Sequence, residues 1–212
     1  MANFVPILDV ETKRQRKSFA TKYLDLYDDN FWNAVVFSDE QRFIYNASGE
    51  ISLYAGDHLA TIPNSVAVWG AISQGNFNNV LKKIHGRMDS RQYMELLNQN
   101  VVPYCQDNPL IHDYFPVHTA LSVRQFLKAH SVTVLEDWPK KSGDIMPLET
   151  VWLDMIDRLT ERNVLAFDTS QLWSHLVELW ERLSLEGYFS QLISTMPNRL
   201  RIVIAQNGAW IR

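Results

Sequence analysis

FWNAVVFSDE, residues 31–40, decides the fold. The front of this stretch, residues 31–37, is short and apolar and cannot stay amphipathic for long. It reads as a central strand ending at Ser38-Asp39-Glu40. Upstream, residues 11–27 put charge on one side and Phe19, Tyr23, Leu24 and Tyr27 on the other, the spacing of a helix packed against the domain. Downstream, residues 42–54 hold the turn formers Asn46 and Gly49 between β-formers, which predicts a hairpin. SVAVWGAIS (65–73) and residues 77–86 read as further antiparallel strands, and 89–102 as a capped helix. PLIHDYFPVH (109–118) gives a short strand ending at Asp113, residues 119–130 a helix, and VTVLEDW (132–138) another short strand. Pro147 launches an amphipathic helix, and two more follow over 170–183 and 199–207. This order predicts a mixed α/β sheet covered by helices, with a helical lead-in over 1–30 packed on a core of 31–212.

The 212 residues are 46% hydrophobic and 21% charged, which suits one compact domain with a sizeable core and excludes a disordered chain. No stretch nears the ~18 apolar residues of a membrane span. The opening MANFVPILDVETKRQRKSF lacks the pattern of a secretory signal. The single cysteine, Cys105, excludes an intrachain disulfide and a cysteine zinc cluster, and suits a cytosolic or nuclear compartment. A net charge of −4 lacks the positive field of a dedicated nucleic-acid binder. Basic residues are local: Lys13, Arg14, Arg16 and Lys17, then Lys82, Lys83 and Arg87, then Lys140 and Lys141. The first run reads either as a solvated helix face or as phosphate contacts.

Three acids carry the chemistry to be weighed. Taken alone, Asp39 and Asp113 read as turn residues at strand ends. Glu149, in a helix's first turn, is favoured by the helix dipole whatever its function. The alternative is convergence into an oxygen-lined pocket for divalent cations, which would activate water or a hydroxyl against a phosphodiester. Converging carboxylates raise one another's pKa and strain the fold until a cation relieves them. His118 reads as a surface or capping group, or as one that orients a phosphate or water. His112 and Glu40 alternate away from their acidic neighbours. Nucleotide loops, HExxH and a nucleophile elbow are all missing. Trp69, Trp152, Trp173 and Trp180 read as core.

NAVVFSDEQRF (33–43), VAVWGAIS (66–73), HDYFPVH (112–118), WPKKSGDIMPLETVW (138–152) and STMPNRLRIVIAQNG (194–208) occur in an order that resembles the catalytic domain of mariner-type transposases, a branch of the DDE superfamily. The resemblance implies a ribonuclease-H-like fold, a five-stranded mixed sheet with helices on both faces. It implies Asp39, Asp113 and Glu149 as catalytic metal ligands for Mg2+ or Mn2+. Asp39 would bridge two ions and the other acids would hold one each. Lys140, Lys141 and the basic residues Lys13, Arg14, Arg16 and Lys17 would contact phosphates.

Departures from the family pattern surround these acids. Tyr114 and Phe115 replace an amide and a small residue after Asp113, and Met146 replaces an amide near Glu149, so Tyr114, Met146 and His118 would form an altered surround. The stretch between Arg42 and Val68 is shorter than in active relatives, and the paired helix-turn-helix modules are absent upstream. The expectation is a nuclear, transposase-derived protein, a domesticated transposase acting mainly as a protein-interaction or dimerisation scaffold in chromatin or genome defence. A partner surface would lie around Trp173, Trp180, Tyr188 and Phe189, with a protein partner or homodimer, DNA not assured, and no membrane. The alternatives are a Mg2+-dependent DNA endonuclease and strand transferase, and nucleic-acid binding without cleavage. A cofactor, Mg2+ or Mn2+, is expected only if the acidic site works.

Overall fold

A computed structural model describes residues 5–28, 30–56, 62–75, 77–105, 108–135 and 137–211. Parts of three sequence readings therefore lie outside the described residues: the ends of the lead-in, residues 57–61 of the shortened stretch, and Glu136. The elements run α1 (Val10–Leu26), α2 (Phe31–Ala34), β1 (Val36–Tyr45), β2 (Ile51–Leu53), β3 (Ser65–Ile72), β4 (Val80–Ile84) and α3 (Ser90–Asn100). They continue through β5 (Leu110–Ile111), α4 (Leu121–Ala129), α5 (Pro147–Glu161), α6 (Thr169–Leu185), α7 (Tyr188–Ile193) and α8 (Met196–Ala205). The result is a mixed α/β, ribonuclease-H-like fold with a five-stranded sheet.

β1 organises the sheet. One edge pairs antiparallel with β3 from Phe37 to Ile44. The other edge is shared: β5 runs parallel to its start, Phe37 opposite Ile111, and β2 pairs antiparallel with its end, from Phe43 to Tyr45. The Arg42 carbonyl still accepts from Tyr54 N–H, so among the described residues only 38–41 lack a strand partner on that side. Period-two alternation sends Phe37, Asp39 and Phe43 to one face, and Val36 and Glu40 to the other. The first face packs under α1 and α5 to α8, with Phe37, Phe43, Val68, Trp152 and Trp180 in one core. The second face packs against α3 and α4 around Val36, Trp69, Tyr93, Leu97 and Leu110.

Three sequence readings are corrected here. Residues 31–37 do not form one strand, because Phe31–Ala34 is a helical turn. Its aromatics stack against α1, with Phe31 and Tyr27 rings 3.9 Å apart and Trp32 buried against Phe19 and Tyr23. Asp39 does not end its strand either. The ladder to β3 continues five residues beyond it, and backbone pairing carries a polar Ser38-Asp39-Glu40 through the sheet. The expected strand at 132–138 shrinks to a parallel bridge, in which Leu110 donates to the Thr133 carbonyl and accepts from Leu135 N–H.

α1 begins at Asp9, whose side chain accepts from Thr12 N–H. It buries Thr12, Arg16, Phe19, Ala20 and Tyr23, a 3.6-residue stripe with one cation inside it. The Arg16 guanidinium is fully buried and donates to Asp144 Oδ1 and Oδ2, Ser142 Oγ, and the carbonyls of Lys141, Gly208 and Ala209. Asp144 also accepts from Ile211 N–H. The expected phosphate contact by Arg16 is thus replaced by an internal one: every donor is spent on the protein. Arg14 pairs with Glu11, and Lys17 donates to Asn207. Glycine matters at Gly208, where φ is +78° and a Cβ would lie 1.9 Å from the Lys13 carbonyl oxygen. It matters again at Gly70 on β3, directly opposite Asp39, where a Cβ would lie 2.6 Å from the Trp152 ring.

Replacing Arg16 by Met strands the buried Asp144 carboxylate and should cost about 3–5 kcal/mol. Urea unfolding would show a large drop in midpoint, and Arg16→Lys, with a single point charge for six acceptors, should recover little of it. An unchanged midpoint would remove Arg16 as an anchor. Gly70→Ala should cost about 1–3 kcal/mol by overpacking. Because the ring it displaces is that of Trp152, the loss should come with a shift in tryptophan emission.

Candidate active site

The parallel register of β1 and β5 brings the first two acids together. Phe37 stands opposite Ile111, so the chain two residues further on carries Asp113 beside Asp39, at the stretch of β1 that neither β5 nor β2 covers. The third acid arrives from the first turn of α5, which starts at Pro147. Asp39, Asp113 and Glu149 line one cavity of about 380 Å³. Tyr114, Phe115, Lys140, Lys141, Gly143 and Met146 complete its wall.

Each acid has a distinct environment. Burial, then the charges of Glu149, Glu40 and Asp113, push the Asp39 carboxyl well above the ordinary carboxylate range, and a hydrogen bond from Trp152 Nε1 at 2.9 Å only partly offsets this. Burial and Asp113 likewise raise Glu149. Gly143 leaves room for Glu149, whose Oε1 would sit 3.1 Å from a Cβ there. Asp113 differs: burial pushes it up, but His118 and the Phe115 N–H outweigh that and hold it below the usual range.

His118 is the hinge of this arrangement. It is buried, its Nδ1 lies 2.7 Å from Asp113 Oδ1, and its Nε2 lies 3.2 Å from Glu40 Oε1. Burial opposes its charge, yet the two carboxylates raise its pKa to about 10, so it is an imidazolium donating to both. Glu40 points to the opposite face of the sheet from Asp39. His118 therefore links the two faces around the uncovered edge of β1. Its ring lies 4.3 Å from Tyr93, whose hydroxyl is 2.7 Å from His112 Nδ1. Burial and the His118 charge push His112 down to about 3, so it is neutral.

Three carboxylates facing one cavity, two of them raised by crowding, are hard oxygen donors suited to Mg2+ or Mn2+. Among the described residues, no three acidic, histidine or cysteine side chains are already drawn together around one point. Asp39 is held by Trp152 and Asp113 by His118. The donor chemistry fits a cation, and side-chain rotation would be needed to gather it.

Of the basic residues, Lys140 and Lys141 reach this cavity, and the α1 cations do not line it. Lys141 sits at φ +51°, an uncommon conformation for a side-chain-bearing residue, in a loop pinned by Arg16. The Lys140 ammonium stands 5.7 Å from the centre of the Tyr114 ring. Met146 is buried and supplies an apolar wall. The expected partner surface is corrected in two places: Trp180 and Phe189 are core residues, with rings 4.6 Å apart. Trp173 and Tyr188 are partly buried against that core, and the Tyr188 hydroxyl donates to Asp154. Sequence reading missed Trp152 as a donor to Asp39, although it falls one helical turn after Glu149. It also missed Glu40, set aside because alternation turns it away.

The Tcb1 transposase of Caenorhabditis briggsae is 27% identical over 220 residues, covering 96% of this chain and 78% of that protein. The Mos1 transposase catalytic domain, solved with raltegravir and Mn, superposes with a TM-score of 0.74 at 18% identity, covering 98% of this chain and all of that one. The Mos1 paired-end complex with the left transposon end gives 0.75 at 18% identity, over 100% of this chain and 67% of its own. The family profile described as DDE superfamily endonuclease matches residues 35–171, which contain Asp39, Asp113 and Glu149. This chain therefore belongs to the DDE superfamily endonucleases and is homologous to mariner-type transposase catalytic domains.

Proposed function

We propose that this chain cleaves and rejoins DNA phosphodiesters at the cavity formed by Asp39, Asp113 and Glu149. One observation carries the reading: the three carboxylates open onto the same cavity as Lys140 and Lys141. Acids alone would repel a polynucleotide, whereas two lysines on the rim can take its phosphates. The names of the relatives, a transposase and a transposase bound to a transposon end, agree with DNA as substrate. They also agree with a second copy of the chain as partner. Such work calls for a nuclear location in a cell with a nucleus. The alternative reading as an interaction scaffold loses support, because Trp180 and Phe189 lie in the core.

Asp39, Asp113 and Glu149 would hold Mg2+ or Mn2+, which would polarise the scissile phosphate and acidify the attacking water or hydroxyl. The chain's own residues do the rest. Trp152 fixes one oxygen of Asp39 and leaves the other for a ligand. His118 fixes one oxygen of Asp113 and keeps that acid ionised. The Lys140-Lys141 loop, anchored from beneath by Arg16, borders the cavity, with the Lys140 ammonium over Tyr114. The Lys141 ammonium donates to the Ile7 carbonyl, a bond it would exchange for a phosphate. Tyr114, Phe115 and Met146 limit water there.

Calorimetry with Mn2+ should detect binding of low-millimolar affinity or better, abolished by Asp39→Asn. No heat from the unmodified protein would sink the proposal. The same variant tests the electrostatics. A carboxyl raised by folding stabilises the fold below its unfolded pKa of 3.8, and that contribution is lost as pH rises through the folded value. Without added cation, Asp39→Asn should therefore melt several degrees above the unmodified protein at pH 7, and the gap should close toward pH 3–4. Mn2+ should raise the melting temperature of the unmodified protein more than that of the variant.

A further inference from the structure

Asp113 and Tyr114 line two cavities. Beyond the catalytic one, they border a second groove of about 580 Å³. One wall is α4, which presents Arg124, Leu127 and Lys128. The other is the segment from Val132 to Leu135. His112 and His118 form the floor between them, and the hydroxyl-bearing Thr119 and Thr133 stand at its sides.

Arg124 and Lys128 lie one turn apart, so both long cations rise from the same face of α4. Both are exposed. Among the described residues neither meets a carboxylate, whereas Arg14, Lys22, Arg158 and Arg182 are all in ion pairs. What sets this pair apart is its place: two cations one turn apart flank a groove that shares Asp113 and Tyr114 with the carboxylate cavity. The apolar wall residues Leu127, Val132 and Leu135 are buried and hold the groove in shape.

We infer that this groove is a second phosphate-binding track. Arg124 and Lys128 hold the backbone of the DNA strand on the far side of Asp113 from Lys140 and Lys141. The inference rests on the proposed DNA chemistry and adds a direction to it. The strand enters past the Lys140-Lys141 loop, crosses the three acids, and leaves between α4 and residues 132–135. Two pairs of cations, one on each side of the carboxylates, would hold a phosphodiester across a site that repels it. Arginine can grip a phosphate through two donors, and the Thr133 hydroxyl can give one more.

The test is binding of a fluorescent DNA duplex with a single-stranded extension, followed by anisotropy in Ca2+ across a series of salt concentrations. The proteins compared are the unmodified chain, Arg124→Ala/Lys128→Ala and Lys140→Ala/Lys141→Ala. All four positions are exposed, and melting temperatures check that the variants fold. The expected result for the α4 pair is at least about tenfold weaker binding at low salt. The slope of log K against log salt should be shallower by about 1.4–1.8, the signature of two lost phosphate contacts. Affinity and slope unchanged in the α4 pair, but reduced in the Lys140-Lys141 pair, would overturn the track and leave the proposed chemistry standing. Unmodified protein that binds Mn2+ yet no DNA at low salt would also overturn it, without touching the cation site.

Discussion

The open stretch of β1 is the constraint on which the site depends. A ten-residue strand is paired along one edge but only at its two ends along the other, by β5 and β2. Had either partner strand been longer, residues 38–41 would be sealed into the sheet, and His118 could not pass from Glu40 to Asp113. The site therefore follows from two strands being short: β5 has two residues and β2 three. β3, buried along nearly its whole length on the opposite edge, gives β1 the stiffness to tolerate this gap.

The electrostatics follow from the same geometry. Four acids crowd the opening, and the fold answers each differently. Glu40 and Asp113 share one imidazolium, Asp39 receives a single indole hydrogen bond, and Glu149 is left with the space opposite Gly143. The charge that remains uncompensated is concentrated on Asp39 and Glu149, on the side nearest Lys140 and Lys141. A cation would be drawn to that side, while Asp113 is already shaped by its histidine.

Much of this was legible in the sequence, and the gaps have physical causes. The order of elements could be read because β3 is a continuous apolar run and α5 and α6 carry clean apolar periods. The three acids could be aligned by their neighbours, since VWG and P-L-E-x-V-W mark elements with fixed places in the sheet. Residues 31–37 misled because a four-residue helical turn and a strand look alike when every position but Asn33 is apolar and the turn packs aromatics on α1. Arg16 looked solvated because its run holds four cations, and nothing local distinguishes the one that lies on the Thr12–Phe19 stripe from its neighbours. Its partners are more than 120 residues away. Trp152 over Gly70 is likewise a long-range fit, invisible until β3 and α5 are brought face to face.

The Arg16 anchorage has a consequence for how such a chain can change over generations. Arg16, Asp144 and Gly208 belong to three distant parts of the sequence, yet they meet at one buried guanidinium. An unaccompanied change at any one would leave a buried charge unmatched or a backbone clash, so drift here should proceed by concerted steps. Exposed Lys13, Arg14 and Lys17 can vary freely around it. A lineage of related chains should thus show an invariant triplet inside a shifting basic segment, even where selection on the carboxylates has been relaxed.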